Sequence, residues 1–247
     1  MGETILEVSG LRHTIAGRPV LDGLSLRLEA GRVYALLGPQ DSGKTTLLRV
    51  LGGLAPLQEG SAAICGEDVR SPAARRETGM LVDEPALWGE LSVAGNLELQ
   101  GRILGKTDRK RMGRLMKALE ILPRDTGRRR VGSCPESIKM RLGAAMALLG
   151  EPRLLLLDEL YSGLDSDDAV RMDALLAGET AARPMAALLT GSFLPHLWGP
   201  ATDFLLMKGG RIRAHYTKEE LTARLPEGFG GTELAALQET LEKEAAE

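Results

Sequence analysis

The stretch Gly38-Pro39-Gln40-Asp41-Ser42-Gly43-Lys44-Thr45-Thr46 leaves this chain few ways to fold. It fits the pattern G-x-x-x-x-G-K-[ST], in which backbone N–H groups curl around phosphate oxygens. The apolar run from Val33 to Leu37 before it reads as a buried strand. The segment Thr46-Leu47-Leu48-Arg49-Val50-Leu51 after it carries apolar residues at helical spacing. A glycine loop between strand and helix places amide donors and the positive end of a helix dipole at one point. In that context Lys44 is expected to reach the outer phosphates of a bound group. The Thr45 hydroxyl is expected to ligate Mg²⁺, whose other contacts are mostly water and phosphate. The competing reading is a glycine-rich turn with a chance lysine.

A second stretch weighs against chance. Leu154-Leu155-Leu156-Leu157-Asp158-Glu159 reads as a central parallel strand with two acids at its carboxyl end, where open α/β sheets place their ligands. Asp158 is positioned to hold a magnesium water shell and Glu159 to orient or deprotonate an attacking water. Alone, such a run is more often a buried strand meeting a solvated acidic turn.

Composition narrows the class further. The chain has 247 residues with a formal net charge of −3, so no strong field favours nucleic acid. Cys65 and Cys134 are too few for a disulfide framework or a metal cluster. Neither a signal peptide nor a membrane-spanning stretch is evident, and a cytoplasmic protein is expected.

The rest of the chain reads as strands at both ends with a helical block between. Thr4 to Val8 and Val20 to Leu28 are expected strands, the latter half-exposed; Ala30-Gly31 is a turn; Leu54 to Ala63 is loop then strand; 67–76 is polar and proline-interrupted. Gly79 to Val82 is a short strand. Ser92 caps one helix and Thr107-Asp108 opens another, whose Met112, Leu115, Met116, Ala118 and Leu119 form a core stripe. Arg128-Arg129-Arg130 is a solvated turn. Ile138 to Leu149 is an apolar helix capped by Gly150, Met185 to Thr190 a buried strand, and Gly209-Gly210 the turn of a hairpin. Thr217 to Glu220 is a capping box, and Thr232 to Ala245 a peripheral helix.

With Ser162-Gly163-Leu164-Asp165 added, the chain resembles the ATP-binding subunit of an ABC transporter. The four residues resemble that family's D-loop. Gly132-Ser133 and the run from Arg141 to Pro152 resemble the helix joining its signature to its acidic strand. Gly79 to Leu97, with Asp83-Glu84-Pro85-Ala86-Leu87-Trp88, resembles the Q-loop segment of bacitracin-resistance and sodium-export type exporters. The resemblance implies a P-loop NTPase (RecA-like) α/β core with an antiparallel β subdomain and an inserted α-helical subdomain. Its boundaries are expected as 1–84 and 150–216 for the core, 85–149 for the helical insertion and 217–247 for a helical extension. It implies ATP and Mg²⁺ as cofactors. Nucleotide contacts are expected from Gly38, Pro39, Gln40, Asp41, Ser42, Gly43, Lys44, Thr45 and Thr46. Metal contacts are expected from Thr45, Asp158 and Asp83, and catalytic roles for Glu159 and Lys44. Its partners would be a transmembrane permease and a second cassette, in a homo- or heterodimer, at the inner face of the cell membrane. No nucleic acid is implied, and contact with the membrane comes only through the permease.

Several positions depart from the family pattern. Ile15 stands where an adenine-stacking aromatic is expected, and Cys134-Pro135-Glu136-Ser137-Ile138 where the signature L-S-G-G-Q falls. Asp83 replaces the Q-loop glutamine, Ser192 the switch histidine, and Asp41 a small neutral loop residue. His196, one turn further on, reads as a surface residue rather than a substitute. The expectation is a degenerate exporter cassette of slow or absent turnover, paired with a more active one. Two alternatives stay open, a non-hydrolysing nucleotide-dependent regulator and a soluble P-loop enzyme unrelated to transport.

Overall fold

The computed structural model describes residues 2–121 and 129–244. Strands β1 (Thr4–Ile15) and β2 (Arg18–Glu29) form a long antiparallel pair, which leads into β3 (Val33–Leu37) and α1 (Lys44–Leu51). Strands β4 (Glu59–Ile64) and β5 (Glu67–Asp68) complete a four-stranded antiparallel sheet of order β2-β1-β4-β5. Then come α2 (Pro72–Arg76), β6 (Thr78–Leu81) and the helical block α3 (Val93–Ile103), α4 (Arg109–Ala118) and α5 (Glu136–Leu149). The chain returns through β7 (Leu154–Leu157), α6 (Ser166–Ala182), β8 (Ala186–Gly191), α7 (Leu194–Trp198), β9 (Asp203–Lys208) and β10 (Arg211–Thr217). It closes on α8 (Lys218–Thr222) and α9 (Gly231–Glu244).

The second sheet has the order β10-β9-β3-β8-β7-β6 and is parallel except for β10. Its strands β3, β7, β8 and β9 are apolar without alternation because both faces are covered, while β10 alternates exposed and half-buried residues. Ala35, Leu37, Leu155, Leu157, Leu189 and Leu206 face a core shared with α3 to α7. Their neighbours Tyr34, Leu36, Leu154, Leu156, Leu188 and Leu205 face the other way, against α1 and the antiparallel sheet. The half-polar strand β2 buries only Leu21, Leu24, Leu26 and Leu28, so the contrast in pattern between the sheets is a contrast in coverage.

Several elements differ from the sequence reading. β1 runs past Val8 to Ile15, because Gly10 at φ 59° absorbs a register shift between Val8 and Leu11 instead of ending the strand. Pro72 does not interrupt segment 67–76. It occupies the first turn of α2 behind Ser71, whose side chain accepts from Ala74 N. α5 starts at Glu136, two residues early, directly behind Pro135. Gly150 caps α5 in the right-handed region, and the left-handed turn falls to Glu151 at φ 55°. Ala118 is exposed, and the buried stripe of α4 passes through Arg111 instead. Helix α6 had no strong sequence signal: only Met172 and Leu176 are buried apolar residues along it. The Gly209-Gly210 hairpin turn, the Thr217–Glu220 capping box and the Ser92 cap form as read. Arg128 and Ala245 lie outside the described residues.

Candidate functional site

The loop 38–43 joins the end of β3 to the start of α1, at the carboxyl edge of the parallel sheet. Its glycines are dictated by space and dihedral. A side chain at Gly38 would run into the Met207 carbonyl. Gly43 has φ 104°, and a Cβ there would lie 2.8 Å from Val20 O. Asp41 also sits in the left-handed region, at φ 62°, which aspartate tolerates better than most residues. Lys44 Nζ donates to Gly38 O at 2.8 Å and Pro39 O at 3.0 Å, closing the loop on itself. Ser42 Oγ is buried and has no partner among the described residues.

The acidic strand meets the loop edge-on. Thr45 Oγ1 donates to Asp158 Oδ2 at 2.8 Å, and Thr190 Oγ1 donates to Asp158 Oδ1 at 2.5 Å. Glu159 N in turn donates to Thr190 Oγ1 at 3.0 Å, which pins Glu159 at φ 45°. One carboxylate is thus held by hydroxyls from α1 and β8. Thr190 was not singled out from the sequence; a hydroxyl at the end of an otherwise apolar strand is the signal that could have found it. Burial pushes the Lys44 ammonium below its usual pKa, while Glu159, Asp158 and Asp41 pull the other way.

Gln40 to Thr46 and Glu159 share an open cleft of about 1030 Å³ with Ile15, Ala16, Arg18, Arg49, Asp83, Ser162 and Ser192. Ile15 is 48% exposed at its rim. Asp83, at φ 63°, is gripped by Arg49, whose Nε and Nη2 donate to its two oxygens at 3.0 and 2.5 Å. Any metal contact by Asp83 therefore competes with Arg49, a residue the sequence reading passed over. Ser162 Oγ donates to Glu159 O, and Asp165 caps α6 by accepting from Asp168 N. Ser192 lies in the cleft, while His196 is exposed on α7 with its ring edge-on to Phe193 at 4.9 Å. The segment Cys134–Ile138 does not line this cleft. Pro135 and Glu136 are exposed at the start of α5, and Cys134 is buried.

Residues 21–162 match the family model described as ABC transporter. The chain belongs to the ABC transporter family. The cassette is 36% identical over 234 residues to the daunorubicin resistance ATP-binding protein DrrA3 of Streptomyces coeruleorubidus, covering 90% of this chain and 71% of that one. It is 30% identical over 224 residues to the taurine import ATP-binding protein TauB of Shigella flexneri, covering 87% and 86%. A solved structure described as the ATP binding subunit of an ABC transporter superposes with a TM-score of 0.82 at 22% identity, over 98% of this chain and all of that one. The cassette thus has the P-loop NTPase fold and is an ATP-binding subunit of an ABC transporter. Such subunits dimerise and work with membrane permeases. No described helix of the cassette is long and apolar enough to cross a membrane.

The residues present fit a magnesium-bound nucleotide. The loop is a glycine-shaped cradle, Ser42 Oγ awaits a partner, and Lys44 spends its donors on loop carbonyls that a phosphate could replace. The Thr45 hydroxyl and the Asp158 carboxylate are hard oxygen donors side by side, as magnesium requires. Among the described residues no cluster of three His, Cys, Asp or Glu side chains forms a metal cage.

Proposed function

We propose that this cassette binds Mg-ATP weakly, turns it over slowly or not at all, and drives an exporter permease beside a second, more active cassette. The carrying observation is one cleft holding two kinds of residue. Lys44, Thr45 and Glu159 line it, with Thr45 tied behind them to Asp158 and Asp158 to Thr190, while Ile15 and Ser192 line the same cleft without an aromatic face or an imidazole. In this reading Gly38 to Thr46 contact the nucleotide, Thr45 and Asp158 hold the magnesium ion with Asp83 nearby, and Lys44 and Glu159 serve the reaction. Loss of base stacking at Ile15 costs roughly 1–3 kcal/mol by analogy with base–aromatic contacts. A missing preorganised donor at developing charge costs on the order of 3–4 kcal/mol. Pro135 and Glu136 offer a partner's nucleotide one amide fewer and one negative charge more.

Export, rather than import, is favoured by the Asp83–Trp88 segment and by the resistance role in the name of DrrA3. The reading places the cassette at the inner face of the membrane, bound through its permease. It takes 1–84 and 150–216 as the nucleotide core, 85–149 as the helical insertion and 217–247 as an extension. Calorimetric titration with Mg-ATP and a phosphate-release assay on the purified chain test it. Weak binding lost in Lys44→Ala, with release near background, is expected. Robust release abolished by Glu159→Gln would restore an ordinary homodimeric ATPase.

A further inference from the structure

Gln238 reaches from α9 to the turn at Ser192, a residue that lines the cleft. Its Oε1 accepts from Leu194 N at 2.7 Å, and its Nε2 donates to Ser192 O at 2.8 Å and to Glu242 Oε1 at 2.7 Å. The amide thereby uses its acceptor and both donors, and it grips both ends of the turn Ser192-Phe193-Leu194 as a neighbouring strand would. The grip is rigid, because Leu234, Leu237 and Leu241 are buried beneath α9 and anchor it. Every residue of β8 up to Gly191 is buried. Ser192, the first residue after this strand, is exposed, and it lies two residues beyond the Thr190 that holds Asp158. Gln238 and Glu242 also wall a small cavity against Gly38 and Pro39, the two residues whose carbonyls accept from Lys44.

We infer that Gln238 is a positioning residue, setting the Ser192 segment at the end of the cleft that takes the terminal phosphate. This rests on the nucleotide reading of the cleft. Ser192 carries a short hydroxyl with little reach, so a small displacement of its backbone decides whether it meets a phosphate oxygen. A longer side chain would tolerate such a shift. The terminal phosphate is present in ATP and absent from ADP, so the effect of Gln238 should fall on ATP alone.

The test is the ratio of Mg-ATP to Mg-ADP dissociation constants for the full chain and for Gln238→Leu, Gln238→Glu and the exposed control Glu239→Gln, with a urea midpoint for each. Gln238→Leu removes the grip, and Gln238→Glu keeps an acceptor for Leu194 N but puts a charge against Ser192 O. Losing about one hydrogen bond's worth of positioning predicts about fivefold weaker ATP binding in both Gln238 variants. ADP binding should stay within about twofold, since an unchanged contact set leaves its affinity unchanged. The control should match wild type. Equal losses for ATP and ADP, or a lower urea midpoint with an unchanged ratio, would reduce Gln238 to a structural contact and overturn the inference. A wild-type chain that binds neither nucleotide overturns the cleft reading itself, and this inference with it.

Discussion

Arg49 holds Asp83 by both carboxylate oxygens, across the mouth of the cleft, at 3.0 and 2.5 Å. The pair joins α1 to the segment after β6, and both side chains are about two-fifths exposed, at 43% and 44%. At that exposure it contributes about 0–1 kcal/mol to stability. Its consequence is electrostatic: the guanidinium neutralises a carboxylate that lines the cleft proposed to take the nucleotide.

Magnesium dependence should therefore respond to both partners in opposite directions. Arg49→Ala frees the Asp83 carboxylate and should lower the magnesium concentration for half-maximal ATP binding by about two- to threefold, a gain of under ~1 kcal/mol for an exposed charge. Asp83→Asn should raise it. Titrating magnesium at fixed ATP checks this, and parallel shifts would show that Asp83 does not meet the metal's field.

Removing the Thr190 hydroxyl should destabilise the fold. Thr190→Val keeps the side-chain volume but leaves the buried Asp158 Oδ1 and Glu159 N without their partner, at a cost of about 1–3 kcal/mol. Urea denaturation reads the change directly. Nucleotide affinity should fall as well, because Asp158 is then free to turn from Thr45.

Lys44 should give the free protein a pH signature. Burial lowers its folded pKa below 10.5, so the unfolded lysine holds its proton the more firmly. As the pH rises through the folded value toward 10.5, the folded state loses that proton first, and the lysine's contribution to stability rises. Urea denaturation of wild type and Lys44→Met across this window should show the difference moving toward wild type with pH. A constant difference would mean that Lys44 is not desolvated in the folded chain.

Asp41 should suppress nucleotide affinity. A carboxylate roughly 6 Å from phosphate oxygens is repelled by about 1–3 kcal/mol at an effective dielectric near ~20, so Asp41→Gly should bind ATP about tenfold more tightly. Glycine also accepts φ 62° without strain. Comparing Asp41→Gly with Asp41→Asn at two salt concentrations separates the causes. A charge effect appears in both variants and shrinks with salt, while a backbone effect appears only with glycine. If neither variant binds ATP more tightly, the carboxylate faces away from the phosphates.

Some of this was readable along the chain because it depends on neighbours in sequence. Gly38, Gly43 and Lys44 announce the loop, since close backbone approach and left-handed dihedrals are local demands. The four leucines of β7 announce a strand buried on both faces. Ser92 and Thr217 announce their helices because a cap bonds within three residues. Pro72 misled for the same reason: a proline reads alike as a breaker and as a helix opener until the cap behind it is seen.

The amino-acid sequence was sufficient for the strand–loop–helix unit and the acidic strand end, each written in contiguous residues, and for the family, whose several motifs are each contiguous though spread along the chain. It could not show that Thr190 would share Asp158 with Thr45, that Arg49 would occupy Asp83, or that Gln238 would grip the turn at Ser192. Those contacts span 32, 113, 34 and 46 positions of chain. They arise only when parallel strands bring their carboxyl ends to one edge and α9 packs across it. Hydrogen-bond partners at such separations are selected by the packing of the sheet, and no local propensity encodes them.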